Sequence, residues 1–464
     1  MVTVQGKISQ RLWRTKPLSM RVIILRHGQS TYNSQGRIQG RSDISVLTDR
    51  GQEDARLASA AFQGLEFDAA YASPLQRAQQ TATTVLSGLE QQDRLQTDDR
   101  LLEIDLPLWE TMFNQEVREK YAAEYQTWKE RPHKLKMLRP QADGTQQEFF
   151  PVLASYEQAT TFWQGILPQH QGQTILVVAH NGINRALIST ALGIQPAMYH
   201  SIQQSNCGVT VLNFSGGWGD SVQLESLNQT SHLGQKLPTL RPQNQGPRFL
   251  LVRHGETDWN RAGKFQGQID VPLNEYGRNQ ASLAAEFLKT TEIDFGFTSS
   301  MLRPKETAEI ILKGRTGLVL NEDPDLREIG HGLWEGKFES EIEAEYPGQL
   351  ERWHTHPESV QMPEGENLQD VWERATAAWG RMLVQVGDRS QTGIVVAHDA
   401  TNKVLLCYLL GLGLADIWKI KQGNGAVTAI DYPDGIEGQP VIQALNITSH
   451  LSGGILDKTA AGAL

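Results

Sequence analysis

Two histidines in this 464-residue chain stand between an arginine and a glycine, in Arg26-His27-Gly28 and Arg253-His254-Gly255. Each run is followed at a distance by another arginine, Arg77 or Arg303, by a glutamate in a Glu-Ile pair, Glu103 or Glu328, and by a histidine after an alanine, His180 or His398. An imidazole can attack an electrophile or move a proton near neutral pH, and the hydrogen bond made by one ring nitrogen decides what the other can do. Guanidinium forks match pairs of phosphate or carboxylate oxygens. Together, these residue types suit anion handling coupled to proton transfer.

Such residues act only if the fold brings them together. The order of motifs is repeated. The two Arg-His-Gly runs are offset by 227 residues, Ser73-Pro-Leu-Gln-Arg77 and Ser299-Ser-Met-Leu-Arg303 by 226, and Glu103-Ile104 and Glu328-Ile329 by 225. Ala179-His180 and Ala397-His398, like Leu227–Leu233 and Leu445–Leu451, are offset by 218. A drifting offset across matches in one order marks two copies of one domain. We expect an N-terminal extension over 1–19, a first domain over 20–233, a proline-marked linker over 234–247 and a second domain over 248–464. The extension carries Lys7, Arg11, Arg14 and Lys16 without an acid or an apolar core, so a secretory signal is not expected. It reads as a disordered extension, or the start lies at Met20. The Gly/Ala-rich tail after Leu451 reads as loosely held.

Each copy opens on an apolar run, Val22–Leu25 or Phe249–Val252, and has another at Ile175–Ala179 or Ile394–Ala397. These fit buried strands. Thr48 and Asn274 are expected to cap the helices that follow them. Strands alternating with helices predict an α/β fold: two tandem three-layer αβα domains, each with a mainly parallel sheet covered on both faces. Ligands of such sheets bind beyond the carboxyl ends of the strands, where both histidines of each copy would sit.

Composition narrows the classes. Hydrophobic residues make up 39% and charged residues 21%, as in a globular chain, and no run of about eighteen uncharged apolar residues could cross a membrane. A net charge of −10 without a basic block argues against nucleic-acid binding. Cys207 and Cys407 make neither a disulfide framework nor a zinc site, and a cytoplasmic setting is expected, or the chloroplast stroma in a plant. His354 and His356 read as an exposed loop because nothing nearby completes a ligand set. No metal site and no cofactor are expected.

These motifs, in order and duplicated, resemble the histidine phosphatase superfamily, also called phosphoglycerate mutase-like. The resemblance implies that His27 and His254 are nucleophiles forming phosphohistidines. Arg26, Arg77, Arg253 and Arg303 would then clamp the phosphate, and His180 and His398 would donate to it. Glu103 and Glu328 would act as general acid and then as general base. Asn33 and Asn260, with Gln39 and Gln266, match phosphate-contacting positions. The partner would be a small phosphorylated metabolite; oligomeric state is left open. Tandem chains whose first copy reads Glu-Ile-Asp-Leu resemble the plant and cyanobacterial 2-carboxy-D-arabinitol-1-phosphatase group, which implies a Rubisco-inhibiting sugar phosphate as substrate. Mutases of the superfamily usually carry Phe-Thr-Gly-Trp and Glu-Arg-His-Tyr-Gly runs. Here Ile38-Gln-Gly40 and Phe265-Gln-Gly267 stand instead, favouring hydrolysis over a phosphoglycerate mutase.

The copies are not equal. Leu326–Gly336 follows the family pattern, whereas the first copy has Asp105, Pro107 and Thr111 in place of glycines. A different backbone path beside Glu103 is therefore expected, and a catalytically silent first copy is the alternative reading. Arg131, His133, Lys134, Lys136 and Arg139 gather in the first copy only. They read as a solvated face, with a lid binding a second anionic group as the functional alternative. Trp109 and Trp334 are expected to pack at the pocket edges, and His232 and His450 to support the last strands.

Overall fold

A computed structural model describes residues 20–141, 143–240 and 244–456. The basic stretch 1–19 and the end of the tail, 457–464, lie outside the described residues.

The first half runs through β1 (Met20–Arg26), β2 (Ala69–Ala72), β3 (Leu95–Thr97), β4 (Met137–Pro140), β5 (Gln146–Phe149), β6 (Thr174–Ala179), β7 (Val209–Phe214) and β8 (Val222–Gln229). The second half runs through β9 (Arg248–Arg253), β10 (Phe295–Ser299), β11 (Leu320–Asp323), β12 (Thr392–Ala397), β13 (Val427–Asp431) and β14 (Val441–Ile447). Twelve of these strands form one sheet in the order β11-β10-β12-β9-β13-β14-β8-β7-β1-β6-β2-β3. In each half four strands are parallel, β3-β2-β6-β1 and β11-β10-β12-β9, and β7 or β13 then runs antiparallel. The fold is the expected α/β arrangement with a mainly parallel sheet.

The apolar runs form strands because both faces are covered. Val22 and Ile24 enter a core with the helices Pro151–Ile166 and Asn181–Leu192. Ile23 and Leu25 enter another with the helices Asp49–Ala61 and Gln76–Ser87. Burying each such side chain contributes roughly 1.5–3 kcal/mol. On the first face the core is continuous across both halves, running from Val22 to Trp353 and Leu405. On the other face there are two clusters, one per half, and that of the first half also takes in Ile455 from the end of the second.

β8 and β14 join the halves at Leu227 and Leu445. Their flanking asparagines reinforce the seam: Asn228 Nδ2 donates to Gln443 O, and Asn446 Nδ2 to Glu225 O, both at 2.7 Å. Asn228 and Asn446 sit at φ 52° and 56°, in the left-handed region that asparagine tolerates better than most residues. Among the described residues no helix is long and apolar enough to cross a membrane.

Candidate active sites

His27 and His254 leave the carboxyl ends of β1 and β9, and His180 and His398 those of β6 and β12, which pair directly with them. The imidazole rings consequently meet edge to face, with centroids 5.1 Å apart in the first site and 5.2 Å in the second. Gly28 and Gly255 are required at their positions. A Cβ on Gly28 would lie 2.3 Å from Gly51 O, and one on Gly255 2.4 Å from Gly277 O. Gly51 and Gly277 are themselves set by the predicted caps: Thr48 Oγ1 accepts from Gly51 N at 3.1 Å, and Asn274 Oδ1 from Gly277 N at 2.8 Å.

The nucleophile candidates have a defined tautomer. His27 Nδ1 lies 2.7 Å from Gly28 O, and His254 Nδ1 2.7 Å from Gly255 O. A carbonyl oxygen can only accept, so Nδ1 carries the proton and Nε2 keeps its lone pair. Burial, followed by the adjacent arginines, holds all four site histidines well below the usual imidazole range. They are neutral at physiological pH, as nucleophilic attack requires. His180 Nε2 lies 2.7 Å from Ser73 Oγ, and His398 Nε2 3.0 Å from Ser299 Oγ. With the serine donating, the ring proton sits on Nδ1, which has no partner among the described residues in either ring.

Arg77, Arg253 and Arg303 are buried around these rings, and Arg26 is partly buried. Arg77 donates to Ser42 O at 2.9 Å and Gly40 O at 3.0 Å; Arg303 donates to Gly267 O at 2.8 Å and, through Nε, to His254 Nε2 at 3.3 Å. Arg26 donates to Gln204 O and Arg253 to Gln422 O. Burial lowers Arg26 and Arg303 to about 10, which leaves both charged.

Glu103 and Glu328 lie at the amino termini of the helices Asn181–Leu192 and Asp399–Leu409. Glu103 accepts from Ile104 N, Gly182 N and Ile183 N at 2.8, 3.1 and 3.0 Å. Glu328 accepts from Ile329 N, Asp399 N, Ala400 N and Thr401 N between 3.0 and 3.3 Å. The backbone donors favour the Glu328 carboxylate. Burial, followed by the charge of Asp399, nevertheless raises the Glu328 carboxyl above its ordinary range. Asn33 Oδ1 and Asn260 Oδ1 accept from the backbone of Ser30 and Thr257, both at 3.2 Å, as parts of capping boxes. Gln39 Oε1 and Gln266 Oε1 accept from the hydroxyls of Ser30 and Thr257 at 2.9 and 2.5 Å. Gln266 Nε2 is buried without a partner among the described residues.

Sequence reasoning missed several positioning residues. Ser73 and Ser299 belong to the quoted arginine motifs but were given no role. Asn206 Nδ2 donates to His27 O at 2.9 Å and Asn424 Nδ2 to His254 O at 3.1 Å. Their 218-residue offset was the available signal. Among the described residues no group of three or more His, Cys, Asp or Glu side chains is placed to hold a metal ion.

The profile of the histidine phosphatase superfamily, branch 1, matches residues 22–229 and again 249–448. The chain belongs to the histidine phosphatase superfamily. With that membership it is an enzyme of the phosphatase class. Within the superfamily it is similar to the 2-carboxy-D-arabinitol-1-phosphatase of Triticum aestivum, at 30% identity over 93% of this chain and 86% of that one. It is also similar to the probable 2-carboxy-D-arabinitol-1-phosphatase of Arabidopsis thaliana, at 31% identity over 94% and 89%. Phosphoserine phosphatase 1 of Hydrogenobacter thermophilus is 34% identical over 44% of this chain and 94% of its own. The superfamily's pattern is altered beside Glu103, and there one expectation needs correction. Thr111 follows the path of its counterpart: its φ is 67° against 79° for Gly336, and its N–H donates to Ile38 O at 2.8 Å as Gly336 N does to Phe265 O at 2.9 Å. The path changes at Pro107, because proline cannot adopt the φ of 56° found at Gly332. Nor does the basic cluster present a bare cationic lid. Arg139 pairs with Asp105 at 2.7 Å, and Lys136 with Glu148 at 2.9 Å.

Proposed function

We propose that both sites, on domains taken as 20–233 and 248–464, hydrolyse phosphomonoesters through a phosphohistidine. Nε2 of His27 or His254 attacks phosphorus while the P–O bond to the ester oxygen breaks and the alcohol leaves as an alkoxide. Glu103 or Glu328 gives its proton to the departing alkoxide. The same carboxylate then takes a proton from water, whose oxygen attacks phosphorus and releases orthophosphate and the free imidazole. Arg26 and Arg77, or Arg253 and Arg303, carry the charge of the equatorial oxygens, with His180 or His398 donating to them. The observation that carries this reading is the twofold recurrence of a buried neutral imidazole with Nε2 uncommitted to a proton, ringed by guanidinium groups.

The substrate class we infer is a small sugar phosphate such as 2-carboxyarabinitol 1-phosphate. It is supported by the likeness to the wheat enzyme along nearly the whole tandem chain. The test is phosphate release from carboxyarabinitol phosphate, xylulose bisphosphate, phosphoglycerates and phosphoserine by the unaltered chain, His27→Ala and His254→Ala. Each variant is expected to lose one share of activity, and turnover is expected to survive EDTA. Strict dependence on added magnesium, or a product phosphorylated at a new position, would overturn the hydrolase reading.

A further inference from the structure

A cavity of about 330 Å³ opens beside the first site, and part of its lining comes from the other half of the chain. Ile38, Leu106 and Asn181 line it; they adjoin Gln39, follow Glu103 by three residues and follow His180. Pro433, Asp434, Gln439 and Val441 of the second half line it as well.

The second-half segment is registered against the catalytic loop. Ile442 N donates to Ser201 O at 2.7 Å, and Gln203 N to Ile442 O at 2.9 Å. The next residue, Gln204, accepts from Arg26, and Asn206 holds the His27 carbonyl. Asp434 reaches across to Lys129 at 2.6 Å, and Gln439 Nε2 lies 3.2 Å from Met198 Sδ. The arrangement is not mirrored by sequence. At the 218-residue offset the counterpart of Asp434 is Gly216, and the nearby Asp220 is bonded to Gly217 N within its own loop at 2.7 Å.

We propose that the second domain completes the substrate pocket of the first site, with Asp434 and Gln439 reading the hydroxylated carbon chain of the phosphomonoester. The proposal rests on the phosphatase reading of the His27 site. The cavity chemistry fits a polyol: Trp128 offers aromatic surface for C–H groups, and Asn181, Asp434 and Gln439 offer amide and carboxylate partners for O–H groups.

The test uses the full chain in a His254→Ala background, so that only the first site turns over, with and without Asp434→Ala/Gln439→Ala. Ribose 5-phosphate, fructose 1,6-bisphosphate and p-nitrophenyl phosphate are compared. The KM of the best sugar phosphate should rise about five- to tenfold, the loss expected for one or two hydrogen bonds. Its kcat and the KM for p-nitrophenyl phosphate should change less than twofold. Second-site activity, read in a His27→Ala background, should be unchanged. An unchanged sugar-phosphate KM, an equal rise for p-nitrophenyl phosphate, or turnover of p-nitrophenyl phosphate but no sugar phosphate would overturn the proposal. If His254→Ala hydrolyses nothing, the phosphatase reading of the first site has failed. Calorimetric titration of that protein with ribose 5-phosphate then decides: a site weakened by Asp434→Ala/Gln439→Ala supports the composite pocket, and an unchanged isotherm contradicts it.

Discussion

In the second site Asp399 follows His398 and lies 3.2 Å from Arg253 and 2.7 Å from Lys403. In the first site the same place is held by Asn181, and Lys403 is matched by Arg185, whose bonds run to His200 Nδ1 and Gln203 Oε1. The support behind each glutamate differs too. Arg374 donates to the carbonyls of Arg327 and Glu328 and pairs with Glu366. In the first domain Gln158 donates to Leu102 O and Arg41 to Glu103 O. The histidines, arginines and glutamates proposed to meet the phosphate keep their types in both sites, whereas their surroundings diverge. One less carboxylate beside His180 than beside His398, and a wall of the neighbouring cavity supplied by the other half, are the grounds on which we propose two pockets of one chemistry that select different esters.

The largest expected effect falls on the part the sites share. Arg77→Met or Arg303→Met, each assayed with the other site silenced, should lower kcat/KM on the order of 10²–10³-fold, the range for losing a fixed transition-state donor. The second site should lose more, because Arg303 also reaches His254 Nε2. A loss confined to the second site would break the equivalence. Asp399→Asn, in a His27→Ala background, probes the difference. Glu328 must be protonated to act as an acid, and Asp399 helps raise its carboxyl; removing that charge lowers it. The alkaline limb of second-site kcat should therefore move to lower pH, and an unmoved limb would mean that Asp399 serves only to hold Arg253. The smallest effect is on stability. Thr111 is β-branched in the left-handed region, which costs about 1–3 kcal/mol and is partly offset by the greater freedom glycine regains on unfolding. Thr111→Gly should stabilise by about 1 kcal/mol, a rise of about 2–4 °C in Tm for a domain this size; a fall would show that the side chain contributes contacts outweighing the strain.

The sheet, both caps and all four histidines were legible because strand period, cap chemistry and strand-end placement are local properties repeated in two copies. Asp399 was not, since its neighbours Arg253 and Lys403 become informative only when β9 and β12 are paired. The expected change of path beside Glu103 is found at Pro107 and not at Thr111, where the backbone bond to Ile38 O holds the residue in the left-handed region despite its own preference. The role proposed for Asp434 depends on β14 packing beside residues 201–203 of the other half, a contact more than two hundred positions away that no periodicity encodes.

Both halves are proposed to perform the same covalent chemistry at His27 and His254. Rapid quenching of the unaltered chain during turnover of its best sugar phosphate, at alkaline pH where phosphohistidine survives, followed by peptide mass mapping, tests it directly. A phosphoryl adduct is expected on the peptide holding His27 and another on the peptide holding His254, each absent from the matching alanine variant. An adduct at only one of them, or on another residue while turnover continues, would contradict it.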